Sequence, residues 1–90
     1  MNPSILIVDD EQSLREMLEI LFSREGYNVA TAASGPEALE LFKKNLFQVV
    51  LTDIRMRPMD GLSLLKEIKA LRPQRTLGQF RLVVGIGGRG

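Results

Sequence analysis

Two rhythms of apolar positions alternate along this chain. Ser4-Ile5-Leu6-Ile7-Val8 is a short continuous apolar run that stops at Asp9-Asp10. Its length and β-branched content predict a strand buried on both faces. Leu14, Met17, Leu18, Leu21 and Phe22 then recur at the spacing of one helical stripe, which predicts an amphipathic helix. Gly26 is placed to end it. Residues 27–32 (YNVATA) read as a second strand, less apolar and so nearer a sheet edge. Ser34-Gly35-Pro36-Glu37 has the S-x-x-E form of a capping box with proline in the first turn, and Ala38, Leu41 and Phe42 continue at helical spacing. Residues 47–52 (FQVVLT) predict a third strand ending at Asp53. After a turn-rich stretch, Asp60 can cap a third helix with Leu64, Leu65, Ile68 and Leu71 on one face, and Pro73 stops it. The order β-α-β-α-β-α with short connections predicts an α/β fold: a parallel sheet, helices packed outside it, and right-handed crossovers. No internal repeat interrupts residues 1–73.

Composition narrows the chemistry. Ninety residues make about one domain. Twelve basic against 11 acidic residues, net +1, argue against a nucleic-acid-coating protein. The chain has no cysteine and no histidine, which excludes disulfides, thiolate chemistry and imidazole bases or ligands. With no tryptophan and one tyrosine, Tyr27, stacking on bases is not its main activity. No apolar run approaches the ~20 residues of a membrane span, and no signal peptide is read; a cytoplasmic location is expected. Carboxylates, lysines, hydroxyls and backbone remain. The charge is uneven: all 11 acids lie in residues 1–67, whereas residues 68–90 carry no acid and five bases, Lys69, Arg72, Arg75, Arg81 and Arg89. The pattern also breaks near residue 74. The expected organisation is therefore a domain over 1–73 and a basic Gly/Arg-rich tail over 74–90, within which residues 80–86 (FRLVVGI) can form a fourth strand. The glycines from Gly85 to Gly90 lack the Lys-Ser/Thr ending of a phosphate loop, and the tail's bases read as a solvated end.

In parallel α/β sheets, ligands bind beyond the carboxyl ends of the strands at the switch point of strand order. Asp9 and Asp10 follow the first strand and Asp53 follows the third. If those strands are neighbours, three carboxylates converge, and either one takes up a proton or a cation binds. All-oxygen ligands favour a hard cation such as Mg²⁺, which keeps waters and accepts a phosphate. An aspartate after a strand is often only a turn or capping residue; that suffices for Asp60, and for Asp9 or Asp10 taken alone it is an even alternative.

The runs Ile5-Leu6-Ile7-Val8-Asp9-Asp10-Glu11, Leu14-Arg15, Gly26-Tyr27, Ala33-x-Gly35-x-Glu37-Ala38-Leu39, Leu51-Thr52-Asp53-Ile54-Arg55-Met56, Met59-Asp60-Gly61-Leu62 and Leu64-Leu65-x-x-Ile68-Lys69 resemble the receiver domain of bacterial two-component response regulators. The wording is nearest to receivers that precede enhancer-dependent transcriptional activators. The resemblance spans residues 4–73 and about the first three fifths of such a domain. It implies a flavodoxin-like doubly wound sheet in the order 2-1-3-4, here without strand 5 and helix 5. It implies that Asp53 accepts a phosphoryl group from a sensor histidine kinase, or from a small donor such as acetyl phosphate. It also implies that Asp10, Asp53 and the Arg55 backbone carbonyl hold Mg²⁺, with Asp9 contributing through water. Such a protein is a phosphorelay switch and not a multiple-turnover enzyme.

Two departures bear on activity. Arg57 stands where the family usually has proline, which comes one residue later at Pro58. The family also places a Ser or Thr at the end of strand 4 and a Lys at the end of strand 5, yet the last hydroxyl residue is Thr76 and the last lysine Lys69. The expected consequence is impaired phosphotransfer in a receiver truncated, or shifted in frame, after about residue 74. One face of the sheet would have helix 1 alone as cover, leaving apolar surface for self-association. Two other functions fit the same residues: an inactive fragment that binds a kinase without taking phosphate, and a small Mg²⁺-dependent phosphohydrolase. Against the second, little of the chain is left to build a substrate pocket.

Overall fold

The first strand, β1 (Ser4–Val8), alternates its side chains between two cores. Leu6 and Val8 join one apolar cluster and Ile5 and Ile7 the other, so a single continuous apolar run feeds both faces. The computed structural model describes residues 2–53, 59–71 and 81–84, the last of these as backbone. Within them β1 pairs in parallel with β2 (Asn28–Ala32) on one side and β3 (Val49–Thr52) on the other, and β4 (Arg81–Val84) extends the sheet beyond β3. The order is β2-β1-β3-β4, as the doubly wound reading requires. β2 is an edge strand, in keeping with its weaker apolar content, and β4 falls inside the expected 80–86 segment. Among the described residues there are three helices, α1 (Gln12–Arg24), α2 (Gly35–Lys44) and α3 (Gly61–Leu71), and no fifth strand or fifth helix.

α2 and α3 together close one face. Ala38 and Phe42 from α2, Leu64 and Ile68 from α3, and Leu6, Val8 and Val50 from the sheet are all buried there. Phe42 stacks on Phe47 with ring centroids 6.3 Å apart. Expectation and structure part at α3's end: Leu65 is half-buried, and Leu71, the helix's final residue, is exposed. α2 starts as its sequence predicts, with the Ser34 hydroxyl accepting from the Glu37 N–H at 3.3 Å and Pro36 in the first turn. The Glu37 carboxylate reaches back one residue further than an ordinary capping box, accepting from the Ala33 N–H at 2.9 Å.

The opposite face is thinner. Ile5, Ile7 and Leu51 pack against Leu18 and Phe22 of α1, with Tyr27 edge-on to Phe22 at 5.4 Å. Yet α1 contains no buried residue. Of its predicted stripe, Leu14, Leu18 and Phe22 are half-buried, whereas Met17 and Leu21 lie 56% and 50% exposed. The periodicity marks an apolar stripe wider than the one line of contact that a single helix makes with a sheet. Gly26 ends the turn after α1 at φ 96°, a backbone state that favours glycine.

At Gly35, α2 closely approaches Met59 in the segment before α3. A Cβ there would lie 2.8 Å from the Met59 sulfur and 2.9 Å from its Cβ. Gly35→Ala is expected to lower the midpoint of urea unfolding despite alanine's better helix propensity. Overpacking costs about 1–3 kcal/mol, and the propensity gain of about 1 kcal/mol does not offset its upper range.

Candidate functional site

The strand register builds the site. Val8 pairs with both Ala32 and Thr52 at the carboxyl ends of three adjacent strands. The ladder runs one residue further: the Asp9 N–H donates to the Ala32 carbonyl at 3.1 Å and the Asp53 N–H to the Val8 carbonyl at 3.0 Å. Asp9 and Asp53 therefore leave the sheet side by side with their backbones fixed. Both are buried, each 4% exposed, whereas Asp10 faces solvent. One carboxylate oxygen from each of Asp9, Asp10 and Asp53 lies within 4.8 Å of the other two. The convergence expected from strand order is thus present.

At that separation two unit charges repel by about 3–4 kcal/mol per pair at an effective dielectric near 20. Such repulsion makes the cluster favourable to a bound cation. Its donors are all hard oxygens, as Mg²⁺ prefers. Asp9 also has the turn role weighed against it: its Oδ1 accepts from the Glu11 N–H at 2.8 Å. Arg55, whose carbonyl the resemblance adds to the metal site, lies outside the described residues, as do Arg57 and Pro58. Asp60 stands apart from the cluster and caps α3, its carboxylate accepting from the Ser63 N–H at 2.8 Å.

Arg15 escaped the sequence reading as a site residue. Its Nη1 donates to the Asp9 carbonyl at 2.8 Å, tying the first turn of α1 to the strand end. A side chain that bonds to backbone leaves no spacing signature, so only the fold reveals it.

The Asp60 cap gives a pH dependence. The Ser63 backbone N–H, chiefly, and the Ser63 side chain hold the Asp60 carboxyl below the usual carboxylate range. A depressed folded value means that its contribution is present above the unfolded value of about 3.9 and is lost as pH falls through the lower, folded one. Helicity followed by circular dichroism during acid titration should show this loss in the wild type and lack it in Asp60→Asn.

Carboxylates at the ends of neighbouring parallel strands, under a doubly wound sheet, define a switch-point ligand site. The sequence model of the response regulator receiver domain matches residues 5–77, and the chain belongs to that family. It is 51% identical over 72 residues to the transcriptional regulatory protein ZraR of Escherichia coli, a match covering 80% of this chain and 16% of that protein. The fold superposes on the chemotaxis response regulator CheY4 of Vibrio cholerae with a TM-score of 0.80 and 33% identity, covering 93% of this chain and 68% of the other. It also matches the response regulator TrrA of Thermotoga maritima, solved in complex with Mg²⁺ and BeF, at a TM-score of 0.77 and 28% identity over 96% of this chain and 89% of that one. The family is a signalling family, which the phosphohydrolase reading does not fit. Among the described residues, no helix is long and apolar enough to cross a membrane.

Proposed function

We propose that this chain is a phosphoacceptor in a two-component phosphorelay, taking a phosphoryl group on Asp53 from a sensor histidine kinase in the cytoplasm. The observation that carries the reading is the meeting of Asp9, Asp10 and Asp53 at the ends of β1 and β3. Asp53 is the nucleophile. One of its carboxylate oxygens forms a bond to phosphorus as the donor's P–N bond breaks, and the imidazole leaves with the electron pair and takes up a proton. Acetyl phosphate would serve in the same way, with acetate as leaving group. Asp10, Asp53 and, as the family resemblance implies, the Arg55 carbonyl would hold Mg²⁺, with Asp9 acting through water; the ion would supply positive charge to offset that of the phosphoryl oxygens. That the similar protein TrrA was solved with Mg²⁺ and BeF supports an Mg²⁺ site in this fold.

The chain's own residues do the rest. The β-ladder bonds at Asp9 and Asp53 fix the backbones from which the two buried carboxylates project, and Arg15 ties α1 to the end of β1. The hydroxyl that the resemblance implies after strand 4 has no counterpart, since residue 85, next after β4, is glycine. One lost oxyanion donor corresponds to about 3 kcal/mol, or roughly 100-fold in rate, so transfer is slow.

The test is incubation with acetyl phosphate, with and without Mg²⁺, followed by intact mass and mapping of the modified residue. The reading expects one phosphoryl group per chain, on Asp53, dependent on Mg²⁺. Binding to a kinase with no phosphoryl uptake from any donor would instead favour the inactive-fragment reading. Continued release of phosphate from a phosphomonoester would favour the hydrolase.

A further inference from the structure

Among the described residues, the outer face of α1 carries three of the exposed large apolar side chains. Met17, Ile20 and Leu21 lie together on it, exposed by 56%, 56% and 50%. Polar residues on the same face follow a symmetric pattern. Glu16 and Arg24 are both exposed and stand one turn before and one turn after Ile20, on the same i, i+4 ridge. A two-fold contact requires a surface that is its own complement, and this face meets that requirement. In an antiparallel pair of α1 helices with the axis at Ile20, Glu16 of each copy comes level with Arg24 of the other. Met17 then packs beside the two Ile20 side chains, with Leu21 at the edge of the seam on the same side. The Gln12 amide donates to Glu16 Oε2 at 2.9 Å along the helix, which steadies the carboxylate on this face. The net charge of +1 puts little repulsion between two copies.

We propose that α1 is a self-association surface and that a second copy of this chain covers Met17, Ile20 and Leu21 in an antiparallel, isologous contact. The proposal does not rest on Asp53 chemistry. A helix of 13 residues is only about 20 Å long, so the seam is smaller than the ~800 Å² per partner of a stable interface. The dimer is accordingly weak and dependent on concentration.

Sedimentation velocity of the full 90-residue chain, from micromolar to millimolar concentration, tests it. The wild type should shift from monomer toward dimer. Ile20→Glu should weaken association by more than roughly tenfold, with unchanged far-ultraviolet circular dichroism because the position is exposed. Glu16→Arg and Arg24→Glu should each weaken it roughly three- to tenfold, and the double exchange should restore wild-type association. A wild type that stays monomeric throughout would overturn the proposal, whether or not some other protein takes this face. So would a dimer indifferent to these substitutions, or a double exchange no better than the single ones.

Discussion

Asp53→Asn will abolish phosphoryl uptake from acetyl phosphate, by at least about a thousandfold, and will leave the fold intact. Loss of a nucleophile typically costs that much or more. The amide has the shape of the carboxylate but not its nucleophilic oxygen, and the backbone bond from Asp53 to Val8 is indifferent to the change. The same substitution has a second signature. It removes one of three mutually repelling carboxylates, so without Mg²⁺ the variant should unfold at a higher urea concentration than the wild type. Added Mg²⁺ should stabilise the wild type more than the variant, because binding to the folded state shifts the folding equilibrium. Intact mass after acetyl phosphate, paired with urea midpoints at zero and saturating Mg²⁺, reads both effects. A variant still labelled at the wild-type level would place the acceptor elsewhere.

The largest effect on stability is expected at Phe42. This ring is 2% exposed, projects from α2 into the core and stacks on Phe47. Truncation of a buried phenylalanine costs about 3–5 kcal/mol, from lost transfer energy and the cavity left behind. A domain of this size has only about 5–13 kcal/mol in total, and here one sheet face is covered by a helix with no buried residue. Phe42→Ala should therefore be substantially unfolded at low urea, whereas Met17→Ala, at an exposed position, should change the midpoint by less than the equivalent of about 0.5 kcal/mol. Near-equal midpoints for the two variants would mean that the α2–α3 side is not the principal core.

The elements and the site were legible in the sequence for different reasons. β1 and β3 announce themselves because strands buried on both faces must be apolar throughout, and the residue that ends such a run is almost forced to be the ligand-facing one. Asp9 and Asp53 could thus be placed together once strands 1 and 3 were taken as neighbours. What the pattern could not tell was how much of an apolar stripe finds cover. Leu18 and Met17 look alike in the periodicity of α1, yet Leu18 packs on the sheet and Met17 does not. Cover depends on what stands opposite, a property of the fold and not of the helix. Arg15 was missed because its bond goes to a backbone carbonyl, an acceptor every residue carries. The close approach of Met59 to Gly35 was missed because contact across 24 residues has no local signature. Even the capping box was read correctly only in part: the serine caps α2, while the glutamate bonds one residue earlier than the motif implies.

The central claim is that the three strand-end carboxylates form a working acidic pocket. A two-dimensional amide NMR spectrum, recorded without and with Mg²⁺ plus beryllofluoride as a phosphoryl mimic, tests it most directly. The account predicts dispersed peaks, with shifts concentrated at Asp9, Asp10, Asp53 and Arg55 and small changes at the far end of α3. A dispersed spectrum indifferent to both additions, or a collapsed one, would contradict it.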